Sequence, residues 1–242
     1  MKFFAKTDIG LVRSTNEDTF TYIVKDENNF IAFVCDGMGG HLGGSYASSK
    51  TVDFINEAYN KLDTSKPLKN VGVWLFDTLQ QANEFIFEQS LNNENLKGMG
   101  TTVSGVIMFN GELYYAHIGD SRIYVYSERE LQQITTDHTY VNTLLLNGLI
   151  TLKQAQKHPK RHVLTNALGI KRKVSVDIGQ IKLHEKENVL ICSDGLHNMI
   201  DGKKLTKLLN EKVDIESKGN LIIDKALSNG GLDNITFVLM EK

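Results

Sequence analysis

Short apolar runs, broken by glycine and polar residues, dominate the first 40 positions of the chain. The pattern predicts strands at Phe3–Thr7, Thr19–Lys25 and Phe30–Cys35. The third run is almost continuously apolar, which is typical of a strand buried in a core. We therefore expect the strand at Phe30–Cys35 to pass through the centre of the fold.

Two longer stretches carry apolar residues at helical spacing, and a series of short strands follows them. The predicted helices cover 44–62 and 73–91, and the predicted strands cover 101–109, 112–119, 122–127 and 131–135. The dipeptide Asn110–Gly111 lies between the first two of these strands and predicts a tight hairpin.

The last hundred residues mix short helices with strands. Residues 139–169 read as short helices and loops, followed by strands at Lys173–Ile178 and Asn188–Cys192, helices at about Lys203–Asn210 and Glu216–Ser228, and a strand at 234–240. Strands joined by hairpins, with helices in pairs, predict an α+β fold with antiparallel sheets.

Composition restricts the class of protein. The chain has 242 residues, 41% of them hydrophobic, and a formal net charge of −2. This length without a linker predicts one domain over residues 1–242, and the balanced charge argues against a nucleic-acid-binding protein. There is no apolar run of about 20 residues and no signal peptide, and two cysteines make no disulfide framework. We expect a cytoplasmic protein that does not bind membranes.

Acidic residues recur where predicted strands begin or end. The strand at Phe30–Cys35 ends in Asp36–Gly37, and the strand at Asn188–Cys192 is followed by Asp194–Gly195. Other acids in such positions are Glu17, Asp18, Asp120 and Asp233. Mg²⁺ and Mn²⁺ prefer oxygen ligands, and a neighbouring glycine lets the backbone approach the ion.

Turn formation is the simpler explanation for any one of these acids, because Asp-Gly is a common turn dipeptide. Two separate strand-then-Asp-Gly arrangements, with Asp233 beside a third strand, favour a shared metal site instead. The seven histidines show no zinc-binding spacing. The sequence therefore indicates an oxygen-ligated divalent metal.

Six motifs in order carry a family likeness: RSTNED, DGMGGH, MGTT, GDSR, SDGL and GGLDNIT. Together they resemble the metal-dependent serine/threonine protein phosphatases of type 2C (the PPM family), especially bacterial single-domain members, from about Thr7 to Leu239. The resemblance implies an αββα sandwich, in which two antiparallel β-sheets pack face to face between helix pairs. It also implies a flap segment at approximately 139–169.

The same resemblance implies a centre of two Mn²⁺ or Mg²⁺ ions. In it Asp36 bridges the two ions, the Gly37 carbonyl binds the second, and Asp194 and Asp233 complete the first. A metal-bridging water would attack the phosphate of phosphoserine or phosphothreonine in proteins. No covalent phosphoenzyme is needed.

Further roles follow from the likeness alone. Asp120 would hold a weaker third metal with Asp194, Asp18 would act near the second ion through water, and Arg13 would bind the substrate phosphate through its guanidinium fork. Glu17 is an additional candidate beside this centre.

The chain departs from many eukaryotic members at Met38, where they carry a histidine proposed to protonate the leaving group. His41 is the next candidate, and a role in capping the following helix is an equal alternative. We expect His197 at the surface, with a position in the lining of the cleft as the alternative. His162 either adjusts substrate contacts or has no role.

The resulting hypothesis is a cytoplasmic protein serine/threonine phosphatase, monomeric, that reverses a bacterial eukaryotic-like kinase. Its partners would be phosphorylated proteins and that kinase. The alternative is a catalytically weak pseudophosphatase that serves as a binding module. That alternative predicts broken ligands, whereas Arg13, Asp36, Gly37, Asp194 and Asp233 are all present.

Overall fold

Two antiparallel sheets form the frame of the protein. The computed structural model describes residues 1–40, 42–66, 68, 70–128, 130–184 and 186–242. Its strands are β1 (Lys2–Asp8), β2 (Asp18–Asp26), β3 (Asn29–Met38), β4 (Gly100–Thr101), β5 (Val103–Phe109), β6 (Glu112–Ile118), β7 (Arg122–Tyr126), β8 (Leu131–Gln133), β9 (Asp177–Ile181), β10 (Asn188–Cys192) and β11 (Ile235–Glu241). One sheet has the order β1-β11-β10-β7-β8, and the other has β2-β3-β5-β6-β9 with β4 paired to β3.

The described helices pack on the outer faces of the two sheets or lie in the segments between strands. They are α1 (Gly43–Lys61), α2 (Val71–Asn92), α3 (Tyr140–Leu146), α4 (Leu152–Lys157), α5 (Asp194–His197), α6 (Gly202–Leu209) and α7 (Ile215–Ser228), with a 3₁₀ turn at Glu94–Leu96. The pair α1 and α2 packs on the sheet that contains β3, and α6 and α7 pack on the sheet that contains β11. The predicted αββα sandwich is confirmed.

Strand β3 shows why its sequence is continuously apolar. Phe30, Ala32 and Val34 pack between the two sheets. The alternate residues Ile31 and Phe33 pack beneath α1 and α2. Since both faces of the strand are covered, no position is left for a polar side chain.

The local turn chemistry matches the sequence prediction in the hairpin between β5 and β6. Asn110 and Gly111 both have positive φ angles, 51° and 82°. Two consecutive residues with positive φ are characteristic of the type I′ turn, whose twist fits antiparallel strands.

The strand predicted at Lys173–Ile178 is wrong in position, because β9 begins only at Asp177. The preceding backbone carbonyls bond to side chains of α2 instead of to a neighbouring strand. Asn83 Nδ2 donates to the carbonyls of Lys171 and Arg172 at 2.9 and 3.0 Å, and Gln80 donates to that of Val174. Residues 171–174 therefore form a fixed loop.

The flap segment carries α3 and α4, each capped by a threonine side chain. Asp137, just before the flap, is tied to the sheet by Arg122, which donates from Nε and Nη2 to the Asp137 carboxylate at 2.9 and 2.7 Å. None of the described helices has the length and hydropathy needed to cross a bilayer. A single domain over residues 1–242 stays a prediction, supported by the core that the two sheets share.

Candidate active site

A cleft of about 1300 Å³ opens at the edge of the sandwich where several strands begin or end. β2 starts beside the end of β3, so that Asp18 lies opposite Asp36 in the ladder. β11 starts beside the end of β10, which places Asp233 near Asp194. Antiparallel pairing thus brings together acids that are far apart in the sequence.

The backbone of Asp36 is fixed by two threonines next to β4. Its N–H donates to Thr102 Oγ1 at 3.0 Å, and its carbonyl accepts from Thr102 N at 2.8 Å and from Thr101 Oγ1 at 2.9 Å. Both threonines are buried. The end of β3 is therefore held rigidly while its carboxyl group lines the cleft.

Gly37 lies where no side chain fits. A Cβ on Gly37 would come within 2.2 Å of the Gly44 carbonyl oxygen, and a Cβ on Gly44 would come within 2.0 Å of Glu17 Oε2. The end of β3, the start of α1 and the Glu17 carboxylate are thus in close contact. Glu17 lies at the N-terminal end of α1, where the helix dipole favours negative charge.

Two buried carboxyl groups lie deeper in the site. Asp18 Oδ2 accepts from Ser193 Oγ at 2.7 Å, whereas Asp18 Oδ1 is buried without a hydrogen-bond partner among the described residues. Asp120 follows β6, and its carbonyl accepts from His197 Nε2 at 3.0 Å.

Asp194 and Asp233 flank the mouth of the cleft. Asp194 Oδ2 accepts from Asn198 Nδ2 at 3.1 Å, and His162 Nδ1 of the flap lies 3.9 Å from the same oxygen. Asp233 Oδ2 accepts from Arg13 Nη2 at 2.7 Å. Because Arg13 and Asp233 are 54% and 34% exposed, this ion pair is readily exchanged for other partners.

Burial and mutual repulsion raise the pKa values of the clustered carboxyl groups. Desolvation raises the pKa of Asp18 to about 7 and that of Asp120 to about 8. Burial, followed by the charges of neighbouring acids, also raises the pKa of Asp36 and that of Asp194.

These residues fit a hard divalent cation. Several carboxyl groups hold protons they would not hold in water, and one buried oxygen, Asp18 Oδ1, has no partner. A cation would take the place of the shared protons and remove the repulsion. No three acidic, histidine or cysteine side chains among the described residues already form a closed ligand set.

Asp36, Gly37, Asp194, Asp233, Asp120, Glu17 and Arg13 all line one cleft. Asp18 lies beside it, opposite Asp36. Their predicted roles as metal and phosphate ligands stay predictions. His41 lies outside the described residues.

The expected surface position of His197 is wrong. Its ring lies against the Asp120 backbone, and its Nδ1 is buried without a partner among the described residues. Burial lowers the pKa of His197 to about 3, so the ring is neutral. The one-turn helix α5 carries the ring into the lining of the cleft three residues after Asp194, and no pattern in the sequence predicted that helix.

Asn234 is a positioning residue that the sequence analysis did not single out, although it follows Asp233 in the GGLDNIT motif. Its Oδ1 accepts from the Glu17 N–H, and its Nδ2 donates to the carbonyls of Ile9 and Thr15, each at 2.9 Å. It therefore holds both ends of the loop that carries Arg13.

Replacing Asn234 with alanine is expected to loosen this loop. Loss of three hydrogen bonds from a buried side chain should lower the free energy of unfolding by about 3 kcal/mol. The KM for a phosphate ester should rise about threefold, since an Arg13 that is less well placed binds phosphate less often. Urea unfolding and steady-state kinetics measure the two effects. An unchanged KM in a destabilised variant would restrict Asn234 to a structural role.

Comparisons with known proteins agree with the geometry. The family model described as Protein phosphatase 2C matches residues 12–228. The chain is similar to a putative protein phosphatase 2C-type of Streptococcus pyogenes (38% identity; 99% of this chain, 97% of the relative). It is also similar to the serine/threonine phosphatase stp of Listeria monocytogenes (36%; 98% and 94%). Among solved structures, serine/threonine phosphatase Stp1 from Staphylococcus aureus matches with a TM-score of 0.93 at 32% identity, over 100% of this chain and 94% of that one.

Proposed function

The chain belongs to the protein phosphatase 2C family, and from that premise we propose that it is a Mn²⁺- or Mg²⁺-dependent enzyme that hydrolyses phosphoserine and phosphothreonine in proteins. One observation carries the proposal. Buried carboxyl groups with raised pKa values converge in a cleft that also contains an exchangeable arginine. This combination suits a divalent metal and a phosphate together.

The carboxyl groups of Asp36, Asp194 and Asp233, with the Gly37 carbonyl, would hold two core ions. Asp120 would contribute to a weaker third site, and Asp18 would act through its unpartnered Oδ1. When bound, such ions supply a nucleophile from water at neutral pH and neutralise charge on the phosphoryl oxygens. The chain itself provides the rigid mount for Asp36 and the Gly37 backbone, which no side chain obstructs.

The guanidinium of Arg13 would orient the substrate phosphate. Its fork can donate to two phosphate oxygens. In doing so it would give up only its ion pair with the partly exposed Asp233. His197 is a poor proton donor for the leaving oxygen, because its ring is neutral and its Nε2 donates to the Asp120 carbonyl.

Replacing Arg13 with lysine is expected to raise the KM for p-nitrophenyl phosphate roughly tenfold and to leave the fold intact, because the ammonium group cannot form the bidentate contact. Steady-state kinetics and a thermal unfolding curve test this. Lys6→Arg is a matched control for basic-residue exchange away from the cleft. An unchanged KM for Arg13→Lys would remove Arg13 from the phosphate site.

The proposed activity is tested with a phosphothreonine peptide and purified protein. Release of inorganic phosphate is expected with Mn²⁺ or Mg²⁺ and is expected to disappear with EDTA. Calorimetric titration with Mn²⁺ should show binding to the native chain and weaker binding to Asp194→Asn. Turnover that is unaffected by EDTA would contradict metal dependence.

The pseudophosphatase alternative has no support in the comparisons, whose relatives are named as phosphatases. A cognate kinase, a monomeric state and a cytoplasmic location stay predictions. The two cysteines, both buried and unpaired, support a reducing compartment.

A further inference from the structure

One long segment beside the cleft has no negative charge. Residues 138–176 contain seven lysines and arginines and no aspartate or glutamate. Since the whole chain carries −2, the remaining residues carry −9. We call residues 138–176 the basic rim. It includes the flap and the fixed loop at 171–174, and residues of both line the same cleft as the clustered acids.

Three cations of the basic rim line the cleft itself: Arg161, Lys171 and Lys173. All three side chains are exposed. No carboxylate among the described residues forms an ion pair with any of them. The other two arginines of the cleft, Arg13 and Arg122, do have carboxylate partners. Arg161, Lys171 and Lys173 are therefore available to an anion from outside the chain.

The loop that carries two of these cations is held in place from below. Buried Asn83 donates to the carbonyls of Lys171 and Arg172, and its Oδ1 accepts from the Gly169 N–H at 2.8 Å. Arg172 turns away, with its guanidinium carbon 5.9 Å from the centre of the Phe87 ring. Lys171 and Lys173 thus project into the cleft from a fixed backbone, which reduces the entropy lost when they bind a ligand.

The cleft has room for more than one phosphorylated side chain, and the substrate phosphate is already accounted for by the metal site and Arg13. We propose that Arg161, Lys171 and Lys173 bind a second anionic group of the substrate, the carboxylate or phosphate of a residue flanking the phosphorylated serine or threonine. The inference rests on the proposed function and adds the substrate class: phosphoproteins whose target residue lies in an acidic or multiply phosphorylated segment.

The test compares three peptides that share a central phosphothreonine. The flanking positions are neutral in one, carry two glutamates in the second, and carry a non-hydrolysable phosphonate analogue of phosphoserine in the third. kcat/KM is measured by phosphate release with Mn²⁺ at about 50 and about 300 mM salt. Both anionic peptides are expected to exceed the neutral peptide by roughly tenfold at the lower salt concentration, and by less at the higher one.

The double variant Lys171→Gln/Lys173→Gln should bring the ratio of anionic to neutral peptide close to one. Lys203→Gln/Lys207→Gln is the matched control, because it removes the same charge from exposed residues of α6 that do not line the cleft. The control should keep the ratio of the native protein. Preference for the phosphonate peptide alone would support the proposal and show that the second bound group is a phosphate. Preference for both anionic peptides would support it and show that the three cations bind a carboxylate as well as a phosphate.

Three results would overturn the inference. They are equal kcat/KM for all peptides in the native protein, a preference that survives Lys171→Gln/Lys173→Gln, and a preference that falls equally in the control. Binding to phosphatidylglycerol vesicles that is lost in Lys171→Gln/Lys173→Gln, without any peptide preference, would reassign the basic rim to a membrane surface. If the native protein hydrolyses none of the peptides with Mn²⁺, the proposed function fails. If it hydrolyses all of them equally, only this inference fails.

Discussion

Asp36→Asn is expected to lose about a thousandfold or more in Mn²⁺-dependent hydrolysis of p-nitrophenyl phosphate, because Asp36 is proposed to hold both core ions and an amide would hold them far more weakly. The metal-free variant should be at least as stable in urea as the native chain. Burial and four neighbouring acids raise the pKa of Asp36, so its ionised form is unfavourable in the fold without a metal. At neutral pH the native chain must protonate this carboxyl group in order to bury it, and an amide of the same shape avoids that cost.

Activity and stability should therefore change in opposite directions at this one position. Asp224→Asn, on the exposed face of α7, is the matched control and should change neither quantity. A metal-free Asp36→Asn protein that unfolds at clearly lower urea would show that the Asp36 carboxyl stabilises the fold. Residual turnover within tenfold of the native protein would remove Asp36 from the reaction centre.

The metal-free protein is expected to lose stability, on the order of 2 kcal/mol, when the pH rises from about 7 to about 8.5. In the unfolded chain the carboxyl groups are ionised throughout this range. In the fold, Asp18 and Asp120 release their protons only near pH 7 and 8. The folded state thus binds more protons than the unfolded state, and its free energy of unfolding falls as they leave.

The predicted fall in the free energy of unfolding starts only at about pH 7, because below that pH two histidines make the free energy of unfolding rise with pH. Burial lowers the pKa of His117 to about 4 and that of His197 to about 3, so each is neutral in the fold and protonated in the unfolded chain below about 6.5. Urea unfolding at several pH values measures the slope, and Asp18→Asn/Asp120→Asn should flatten it. A metal-free stability that rises with pH across this range would refute the account.

Local pattern was sufficient for the parts of the fold that local chemistry determines. The continuous apolar run predicted β3, and Asn110–Gly111 predicted the hairpin between β5 and β6. Helical spacing predicted α1 and α2 to within a few residues. The acids at strand ends were recognised because strand, acid and glycine lie next to one another in the chain. Their convergence on one metal site was inferred from the recurrence of that arrangement, and the family resemblance supplied the role of each acid.

The errors lie where distant side chains determine the backbone. β9 starts four residues later than predicted because Asn83 and Gln80, about 90 positions earlier, bind the carbonyls of the preceding loop. Asn234 gains its importance from a loop more than 200 positions away. Neither contact leaves a periodic or compositional signal, so a single sequence does not show it.

The ion pair between Arg13 and Asp233 has a consequence for regulation. One carboxylate oxygen holds the guanidinium, and the same carboxylate is a proposed metal ligand. A cation that takes Asp233 releases Arg13 for phosphate, and a phosphate that takes Arg13 releases Asp233 for the cation. By thermodynamic reciprocity each ligand raises the affinity of the other by the same factor. The protein would then bind metal and phosphoprotein cooperatively, so that the concentration of free metal in the cell sets the range of phosphoprotein concentrations to which the protein responds.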